Sequence, residues 1–481
     1  MRKETQNQQD IFFNKADIDS VFTAQVNNRW NVSQTSTIER IAKLKKIENW
    51  IIENKQAIRE AIYKDFRKPA VDVDLTEIFT ALSEIRHAIK HLKKWVKPKR
   101  VKRTMALITT RSWIQYEPRG VVLIIAPWNY PFNLIVTPLL SAIAAGDCVI
   151  LKPSELAIHT SNLISRMVEK LFSENEVAVF EGEKDVAIEL LKKPFDHIFF
   201  TGNATVGKKV MQAASKNLSS ITLELGGKSP VVIDETANIA DAAQKIVWGK
   251  FMNCGQTCLG PDYLLVNESV LPELISKLKY YTKKFYGTEN SDWQTCPDYA
   301  RIIDNSHFQR LARVLNETIQ AGAKIEIGGD LNEDEKYISP TVLIDVKPES
   351  AIMEEEIFGP ILPILTYSKL NEAIDLIRSK PKPLALYIFS KNQRNIDRVL
   401  AETSSGGVCI NDTVIHFSQS NLPFGGVNDS GTGRTHGFFG FKTFSNEKAV
   451  VKHNRFSLLK LMYPPYTKRV RMIVDFVVKY F

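Results

Sequence analysis

The chain has 481 residues, of which 44% are hydrophobic and 24% charged, and a formal net charge of +9. This composition is typical of a globular protein, and at about 150 residues per domain the length predicts roughly three domains or two large ones. Five cysteines are too few for a disulfide-stapled secreted protein, so we expect free thiols and a reducing, cytoplasmic location. We expect neither a secretory signal nor a membrane-spanning helix, because no sufficiently long apolar run occurs.

Much of the positive charge lies in two stretches, HLKKWVKPKRVKR (91–103) and KRVRMIVDFVVKYF (468–481). Basic stretches can bind nucleic acid or membranes, but the first is more typical of a solvated face, and we expect no nucleic-acid partner. The second has apolar residues at helical spacing, which predicts a short amphipathic helix. Because it also contains Asp475, we expect it to dock on its own protein, at the substrate entrance, or on a partner subunit. Peripheral contact with a membrane is the alternative.

The N-terminal third is predicted to be mainly helical. The first roughly 20 residues are polar, and we expect them to be loosely held. Apolar residues then recur every three to four positions over 36–96, which predicts helices, with Ser36 as the first cap. Residues 104–120 alternate in polarity and end in a turn, which predicts a strand or hairpin that stands apart from the core.

From residue 121 the pattern changes to short β-branched runs that alternate with helical stretches. The runs include VVLIIAP, DCVILKP, HIFFTG and PVVIDE, and a second α/β stretch follows from residue 230. Such alternation predicts an α/β fold with a doubly wound parallel sheet. Ligands of such sheets bind beyond the carboxyl ends of the strands. The residues that directly follow the strands are therefore the functional candidates.

Two segments at predicted strand ends suit a nucleotide. HIFFTGNATVGKK (197–209) reads as a strand, a glycine turn and a helix, but Lys209 replaces the P-loop Ser or Thr and the G-x-G-x-x-G pattern is absent. Such a helix start can still bind a pyrophosphate, although a plain glycine turn is an equal interpretation. In LKPSE (151–155), Lys152 and Glu155 could bond ribose hydroxyls, although a solvated helix start is the plainer interpretation.

The segment NCGQTC (253–258) contains Cys254 and Cys258. A structural zinc site needs four ligands at short spacing, and the other cysteines are isolated. His87 and His91 share a helix face but lack the Glu of HExxH, so we expect no metal. A disulfide would close a very short loop in a reducing compartment. A reactive thiol needs exposure and a depressed pKa, so this stretch alone favours a structural cysteine.

Seven segments, taken together and in order, resemble the aldehyde dehydrogenase superfamily. They are APWNYPF (126–132), LKPSE (151–155), FTGNATVG (200–207), LELGGKSP (223–230), NCGQTC (253–258), EEIFGP (355–360) and LPFGGVNDSGTG (422–433). The resemblance covers nearly the whole chain from about residue 20, and the helical region, PWNYPF and YPPY (463–466) resemble the class 3 and fatty aldehyde dehydrogenase branch. It implies NAD(P)-dependent oxidation of an apolar aliphatic or aromatic aldehyde to a carboxylic acid.

The resemblance also implies a role for each motif residue. Cys258 would be the nucleophile, Asn129 and the Cys258 backbone N–H would form the oxyanion hole, and Glu224 would activate the water that hydrolyses the thioester. NAD or NADP would be the cofactor. Its expected contacts are Lys152 and Glu155 at the adenosine ribose, Gly202, Asn203, Ala204, Thr205, Val206 and Gly207 at the pyrophosphate, and Glu356 and Phe358 at the nicotinamide ribose and ring.

The resemblance further implies a domain organisation and a homodimer. The expected parts are an NAD(P)-binding domain (1–98 and 120–226), a catalytic domain (227–411), oligomerisation segments (99–119 and 412–450) and a C-terminal tail (451–481) with the amphipathic helix.

Two alternative functions and one departure from the family pattern accompany this interpretation. A CoA-acylating relative is disfavoured by Glu224, since hydrolysis needs a base. A non-catalytic binding protein is disfavoured by the intact set of Cys258, Glu224 and Asn129. The departure is Asn428, which stands where the family usually has glycine.

Overall fold

The computed structural model describes residues 15–104, 107, 109–287, 290–453 and 458–480. The N-terminal part is helical, as predicted. A short π-helical stretch, Asp74–Ile78, joins its last two helices. The helices are α1 (Lys15–Ser33), α2 (Thr37–Glu53), α3 (Lys55–Phe66), α4 (Ala70–Val73) and α5 (Phe79–Trp95). Ser36 caps α2 in a capping box with Glu39, which satisfies N–H groups at the helix start.

Helix α1 corrects the expectation of a loosely held N-terminus for residues 15–20, while residues 1–14 lie outside the described part of the chain. The helix begins at Lys15, and the side chains of Ile18 and Phe22 are buried. Gln25 Nε2 donates to Val149 O at 3.0 Å, which fixes α1 against the sheet behind it. Few apolar residues are needed for this docking, and the largely polar sequence therefore did not predict an ordered helix here.

The first sheet has six strands and carries the predicted nucleotide segments. Five strands are parallel, in the spatial order β7-β6-β3-β4-β5, and a short antiparallel strand, β17, pairs with β7. Its strands are β3 (Val121–Ile125), β4 (Cys148–Lys152), β5 (Val177–Val179), β6 (His197–Thr201), β7 (Ser220–Glu224) and β17 (Gly431–Thr432). The intervening helices are α6 (Asn133–Ala145), α7 (Ile158–Leu171), α8 (Lys184–Leu190) and α9 (Ala204–Ser215). This confirms the predicted doubly wound α/β fold.

The second sheet has seven strands in the order β10-β13-β14-β9-β8-β15-β16, parallel except for β10. Its strands are β8 (Pro230–Ile233), β9 (Tyr263–Asn267), β10 (Lys324–Ile327), β13 (Thr341–Ile344), β14 (Ile361–Tyr367), β15 (Ala385–Phe389) and β16 (Gly407–Ile410). Between β10 and β13 the chain forms a separate two-stranded antiparallel ribbon, β11 (Leu331–Asn332) and β12 (Tyr337–Ile338). The helices of this half are α10 (Ile239–Phe251), α11 (Leu271–Tyr286), α12 (Asn290–Thr295), α13 (Asn305–Gln320), α14 (Leu370–Ser379) and α15 (Gln393–Glu402).

A third, three-stranded antiparallel sheet contains β1 (Lys99–Arg100), β2 (Thr110–Pro118) and β18 (Ser445–His453). Strand β2 lies in the middle and pairs with β18 over nine residues on each strand, from Ser445 opposite Pro118 to His453 opposite Thr110. The first predicted oligomerisation segment therefore pairs with residues at and beyond the end of the second. Before β18, the chain forms α16 (Gly437–Thr443).

The C-terminal helix α17 (Lys468–Tyr480) forms as the apolar spacing predicts. None of its residues is buried. No helix in the described parts of the chain has the length and the apolar content needed to cross a membrane.

The departure at Asn428 has a local explanation. Its φ is 54°, a left-handed conformation that asparagine tolerates better than most residues with a side chain. Lys382 Nζ donates to Asn428 Oδ1 at 2.8 Å. The asparagine therefore keeps the backbone conformation that a glycine would allow and adds a side-chain contact.

Candidate active site

Four of the predicted site residues lie at one edge of the first sheet. Asn129 follows β3, Lys152 ends β4, Gly202 follows β6 and Glu224 ends β7. Since these strands are parallel, their carboxyl ends share that edge. Cys258 approaches the same edge from the segment between α10 and β9 of the second sheet.

The turn that carries Cys258 has an unusual backbone. Asn253, Cys254 and Gly255 have φ values of 56°, 54° and 71°, and a left-handed conformation is costly for residues that carry a Cβ. At Gly255 a Cβ would lie 2.3 Å from the carbonyl oxygen of Gly359, so only glycine fits here. The turn therefore packs directly on the EEIFGP segment.

Gln256 holds this turn in place from the inside. Its fully buried side chain donates to Asn253 O at 3.0 Å and to Arg301 O at 2.9 Å. Its Oε1 accepts from Ile303 N at 3.0 Å. Three hydrogen bonds from one side chain offset part of the cost of the strained backbone.

Asn129 is bonded to the same turn. Asn129 Nδ2 donates to Gln256 O at 3.0 Å, and Asn253 Nδ2 donates to Asn129 O at 3.0 Å. An amide nitrogen carries two N–H groups, so a second donor remains for an anionic oxygen. The loop after β3 and the cysteine turn are thus fixed to each other at the predicted oxyanion hole.

The two cysteines of the turn have different surroundings. Cys258 is partly exposed, whereas Cys254 is buried and bonded to Tyr299. Burial, followed by the nearby carboxylates of Glu356 and Glu224, raises the pKa of the Cys258 thiol to about 12. Cys258 therefore holds its proton until a base removes it.

Glu224 has the surroundings of a general base. Its side chain is buried, and neither carboxylate oxygen has a hydrogen-bond partner among the described residues. Burial raises its pKa to about 8, against the opposing charge of Arg434. A carboxylate whose pKa lies near neutral pH, and whose oxygens have no fixed hydrogen-bond partners, can accept a proton from water or from a thiol.

Glu356 lies against the LELGGK segment. Burial and the charge of Asp262 raise its pKa to about 8, while the Gly227 N–H and Lys228 act in the opposite direction. A Cβ at Gly226 would lie 2.0 Å from Glu356 Oε2, so the carboxylate occupies space that a side chain would fill. The carboxylate is thus placed beside the loop that follows Glu224.

A buried ion pair between Lys228 and Asp262, with Nζ 2.6 Å from Oδ2, supports the Glu356 loop. Lys228 Nζ also donates to Ile352 O and Glu355 O, each at 2.7 Å. Asp262 Oδ1 accepts from Ile357 N at 2.9 Å. The loop that carries Glu356 is therefore fixed on both sides by charged groups.

Phe358 has φ 51° and packs edge-on against Trp128, with ring centroids 5.5 Å apart. Trp128 directly precedes Asn129. The two rings therefore form an apolar wall near the oxyanion donor.

The second group of predicted residues is suited to the adenosine end of a dinucleotide. Lys152 is buried and its Nζ donates to Glu155 Oε2 at 2.6 Å, while the Glu155 side chain is 41% exposed. This pair presents both a donor and an acceptor, as ribose hydroxyls require.

The glycine turn after β6 leads into an open helix start. Asn203 caps α9 by accepting from Val206 N at 2.9 Å. The N–H groups of Ala204 and Thr205 belong to the first turn, which has no intrahelical partners for them. At Gly207 a Cβ would lie 2.9 Å from Leu225 Cδ2, so glycine permits close packing of α9. These features fit a pyrophosphate.

Several residues that build the site could not be recognised from the sequence. Gln256 and Trp128 lie inside recognised motifs, but their roles depend on distant partners. Lys228 lies in LELGGK, and its basic side chain was the only feature of the sequence that could have indicated its role. No feature of the sequence indicated the role of its partner Asp262. Among the described residues, no group of three or more acidic, His or Cys side chains could hold a metal ion.

Comparison with known proteins establishes the class of protein. Residues 12–450 match the model of the Aldehyde dehydrogenase family. The chain therefore belongs to this family.

Individual relatives and solved structures within this family are similar to the chain over nearly its whole length. The 4,4'-diaponeurosporen-aldehyde dehydrogenase of Staphylococcus aureus is 47% identical over 93% of this chain and 96% of its own. A mouse relative named aldehyde dehydrogenase, dimeric NADP-preferring, is 42% identical over 91% and 95%. A substrate-bound S. aureus AldH has a TM-score of 0.91 at 46% identity, covering 96% and 99%.

Two further solved structures bear on the cofactor. An aldehyde dehydrogenase of Mycobacterium tuberculosis complexed with NAD+ has a TM-score of 0.83 at 26% identity. A glyceraldehyde-3-phosphate dehydrogenase of Bacillus halodurans complexed with NADP has a TM-score of 0.84 at 25% identity. Each covers 92% of this chain and 92% of its own. The protein is an NAD(P)-dependent aldehyde dehydrogenase, and it oxidises an aldehyde.

The two cysteines of the turn are expected to respond differently to substitution. Cys258→Ala should abolish turnover because the nucleophile is lost, whereas Cys254→Ala should keep most of it. Steady-state formation of NADH or NADPH measures both, and thermal unfolding shows whether each variant is folded. Equal loss of turnover in two folded variants would contradict the separate roles.

Proposed function

We propose that aldehyde oxidation proceeds through covalent intermediates on Cys258, hydrolysed with the help of Glu224. The observation that carries this proposal is the position of a partly exposed thiol near two carboxylates whose pKa values are both raised to about 8. Asn129 is bonded to the same turn. The site therefore combines a nucleophile, a base and an oxyanion donor, which covalent acyl chemistry requires.

In the first step, the Cys258 thiol loses its proton to a nearby carboxylate and Sγ attacks the aldehyde carbon. The new C–S bond turns the carbonyl oxygen into an oxyanion, which accepts from Asn129 Nδ2 and from the Cys258 N–H. NAD or NADP, when bound, would accept the hydride that leaves the former carbonyl carbon as the oxyanion collapses and a thioester of Cys258 remains. The first proton passes to solvent, so that Glu224 is again a carboxylate and takes a proton from water. The resulting hydroxide attacks the thioester carbon, the Cys258 thiolate leaves as the acid forms, and Glu224 returns its proton to Sγ.

We propose that Lys152 and Glu155 hold the adenosine ribose, that residues 202–207 hold the pyrophosphate, and that Glu356 and Phe358 hold the nicotinamide ribose and ring. The Lys152–Glu155 pair and the open start of α9 support this assignment. The Glu155 carboxylate would repel a 2′-phosphate that faced it directly.

We propose an apolar aldehyde as the substrate. The aromatic wall of Trp128 and Phe358 supports this, since such surfaces favour apolar ligands. The S. aureus relative is named as a dehydrogenase of 4,4'-diaponeurosporen-aldehyde. The unpartnered Glu224 carboxylate favours release by hydrolysis over transfer to CoA.

The reaction is tested with NAD or NADP and a panel of short, long and aromatic aldehydes, without CoA. Wild type should form reduced cofactor and an equal amount of acid, most efficiently with apolar aldehydes. Glu224→Gln should give one burst of reduced cofactor per site and then a turnover rate lower by about a hundredfold or more, because thioester hydrolysis loses its base.

Glu349→Gln, on the exposed surface, is the matched control and should behave as wild type. An absolute requirement for CoA would contradict hydrolysis. A Glu224→Gln variant with normal turnover would contradict the role of Glu224.

We propose a homodimer in which the three-stranded sheet, containing residues of the predicted segments 99–119 and 412–450, contacts a second copy. Strand β18 lies at the edge of that sheet, and Val451 on it is 57% exposed. Long edge strands readily pair with another chain. The mouse relative is named as dimeric, which supports the same state.

The dimer is tested by sedimentation. Wild type should sediment as a dimer, and Val451→Asp should shift the equilibrium toward monomer because it places a charge on the contact. Ile325→Asp, at an exposed position on β10 at the edge of the second sheet, is the matched control. A monomeric wild type would contradict the proposal.

We propose that α17 docks on the partner subunit. Met472 and Val478 are 64% and 79% exposed in the single chain, and such a surface favours burial against another surface. Contact with a membrane is the alternative, since the helix is basic. We further propose a cytoplasmic location, which the five free thiols support.

A variant that ends at Thr467 distinguishes docking on the partner subunit from contact with a membrane. We expect its dimer to be weaker than the wild-type dimer, so that it dissociates at a higher protein concentration. We expect neither protein to float with vesicles of phosphatidylglycerol and phosphatidylcholine. Flotation of wild type but not of the variant, with unchanged dimer strength, would favour the membrane instead.

A further inference from the structure

A fully buried cation lies behind the active site. Lys68 precedes α4, and neither its side chain nor that of Glu77 has any exposed surface. Lys68 Nζ lies 3.1 Å from Glu77 Oε1 and 3.9 Å from the centroid of the Tyr130 ring. A charge at this depth is retained when it is paired, and an aromatic face adds to the pairing.

Both partners of Lys68 contact the loop that carries Asn129. Tyr130 is the next residue in the chain. Glu77 Oε2 accepts from Asn133 N at 2.8 Å, at the start of α6. The cation and its partners therefore fix both ends of the short segment between Asn129 and Asn133.

One of these partners also reaches the cysteine turn. Tyr130 Oη and Thr257 Oγ1 are 2.6 Å apart, and both side chains are buried. Thr257 directly precedes Cys258. An unbroken set of contacts therefore runs from Lys68 through the Tyr130 ring and hydroxyl to the residue beside the thiol.

A second connection runs through Asp72, one turn before Glu77. The Asp72 carboxylate accepts from the backbone N–H of Asn253 and interacts with the charge of Lys68. Lys68 is thus linked to the cysteine turn from two directions, at Asn253 and at Thr257.

We propose that Lys68 is a positioning residue for aldehyde oxidation, which acts through Tyr130 and Thr257 to hold Cys258 in register with Asn129. This rests on the proposed roles of Cys258 and Asn129. Lys68 touches neither substrate nor cofactor in this proposal. Its loss should slow formation of the thioester, which needs the thiol and the oxyanion donor together, and leave cofactor affinity unchanged.

The test measures the first-turnover burst of reduced cofactor together with cofactor affinity and thermal unfolding. Lys68→Met, Tyr130→Phe and Thr257→Val should each slow the burst, by about ten- to a hundredfold for Lys68→Met, since small displacements of reacting groups have effects of this size. Thr257→Ser keeps the hydroxyl and should restore most of the rate. Cofactor affinity should stay at the wild-type value.

Lys43→Met is the matched control, because Lys43 forms a largely buried ion pair with Glu176 beside the far edge strand β5. It should lose stability without slowing the burst. In a double-mutant cycle, Lys68→Met and Thr257→Val should be less than additive, since both break the same set of contacts.

Several outcomes would overturn the inference. They are wild-type bursts in both Tyr130→Phe and Thr257→Val, additive effects in the cycle, or a folded Lys68→Met variant whose burst is unchanged. If Lys68→Met does not fold, the Thr257→Val and Thr257→Ser pair still decides. Absence of any burst in wild type would instead contradict the proposed covalent reaction itself.

Discussion

The buried ion pair of Lys228 with Asp262 is the constraint on which the site geometry depends. It connects the segment after Glu224, the segment after Cys258 and the loop that carries Glu356. Removal of one partner of a buried pair typically costs about 3–5 kcal/mol, because a charge is left without compensation. Three motifs that are far apart in sequence therefore share one electrostatic anchor, and their relative positions are fixed before any ligand binds.

The surroundings of the ionisable groups in this site stabilise their neutral, protonated forms. Burial raises the pKa of Glu224 and of Glu356 to about 8 and that of Cys258 to about 12. Both carboxyl groups are therefore mainly protonated at pH 7 and change protonation state at a small cost, whereas the raised pKa of Cys258 keeps its thiol protonated until a base takes the proton. The left-handed backbone of the cysteine turn places the thiol among these groups, and Gln256 holds that backbone.

The sequence was sufficient to predict the parts of the structure that depend on local patterns. The strand ends at Lys152 and Gly202 follow from β-branched runs and turn residues, whereas Glu224 was indicated only by the family resemblance. The parallel sheet brings all three to one edge. Residues whose roles depend on long-range contacts could not be predicted. Lys68 meets the Tyr130 ring across 62 positions of chain, and Gln256 bonds Arg301 and Ile303. Helix α1 was missed because few apolar side chains dock it.

The close approach of Glu356 to Gly226 has a consequence for how the two motifs can vary. The Glu356 carboxylate fills the volume where a side chain at Gly226 would begin. The LELGGK and EEIFGP segments are therefore in direct steric contact at these two positions. Any residue larger than glycine at position 226 requires a moved Glu356 carboxylate, a shorter side chain at position 356 or a displaced loop. These positions, 130 residues apart, are therefore coupled by shape, because a side chain at position 226 would move the Glu356 carboxylate from its place beside the LELGGK loop.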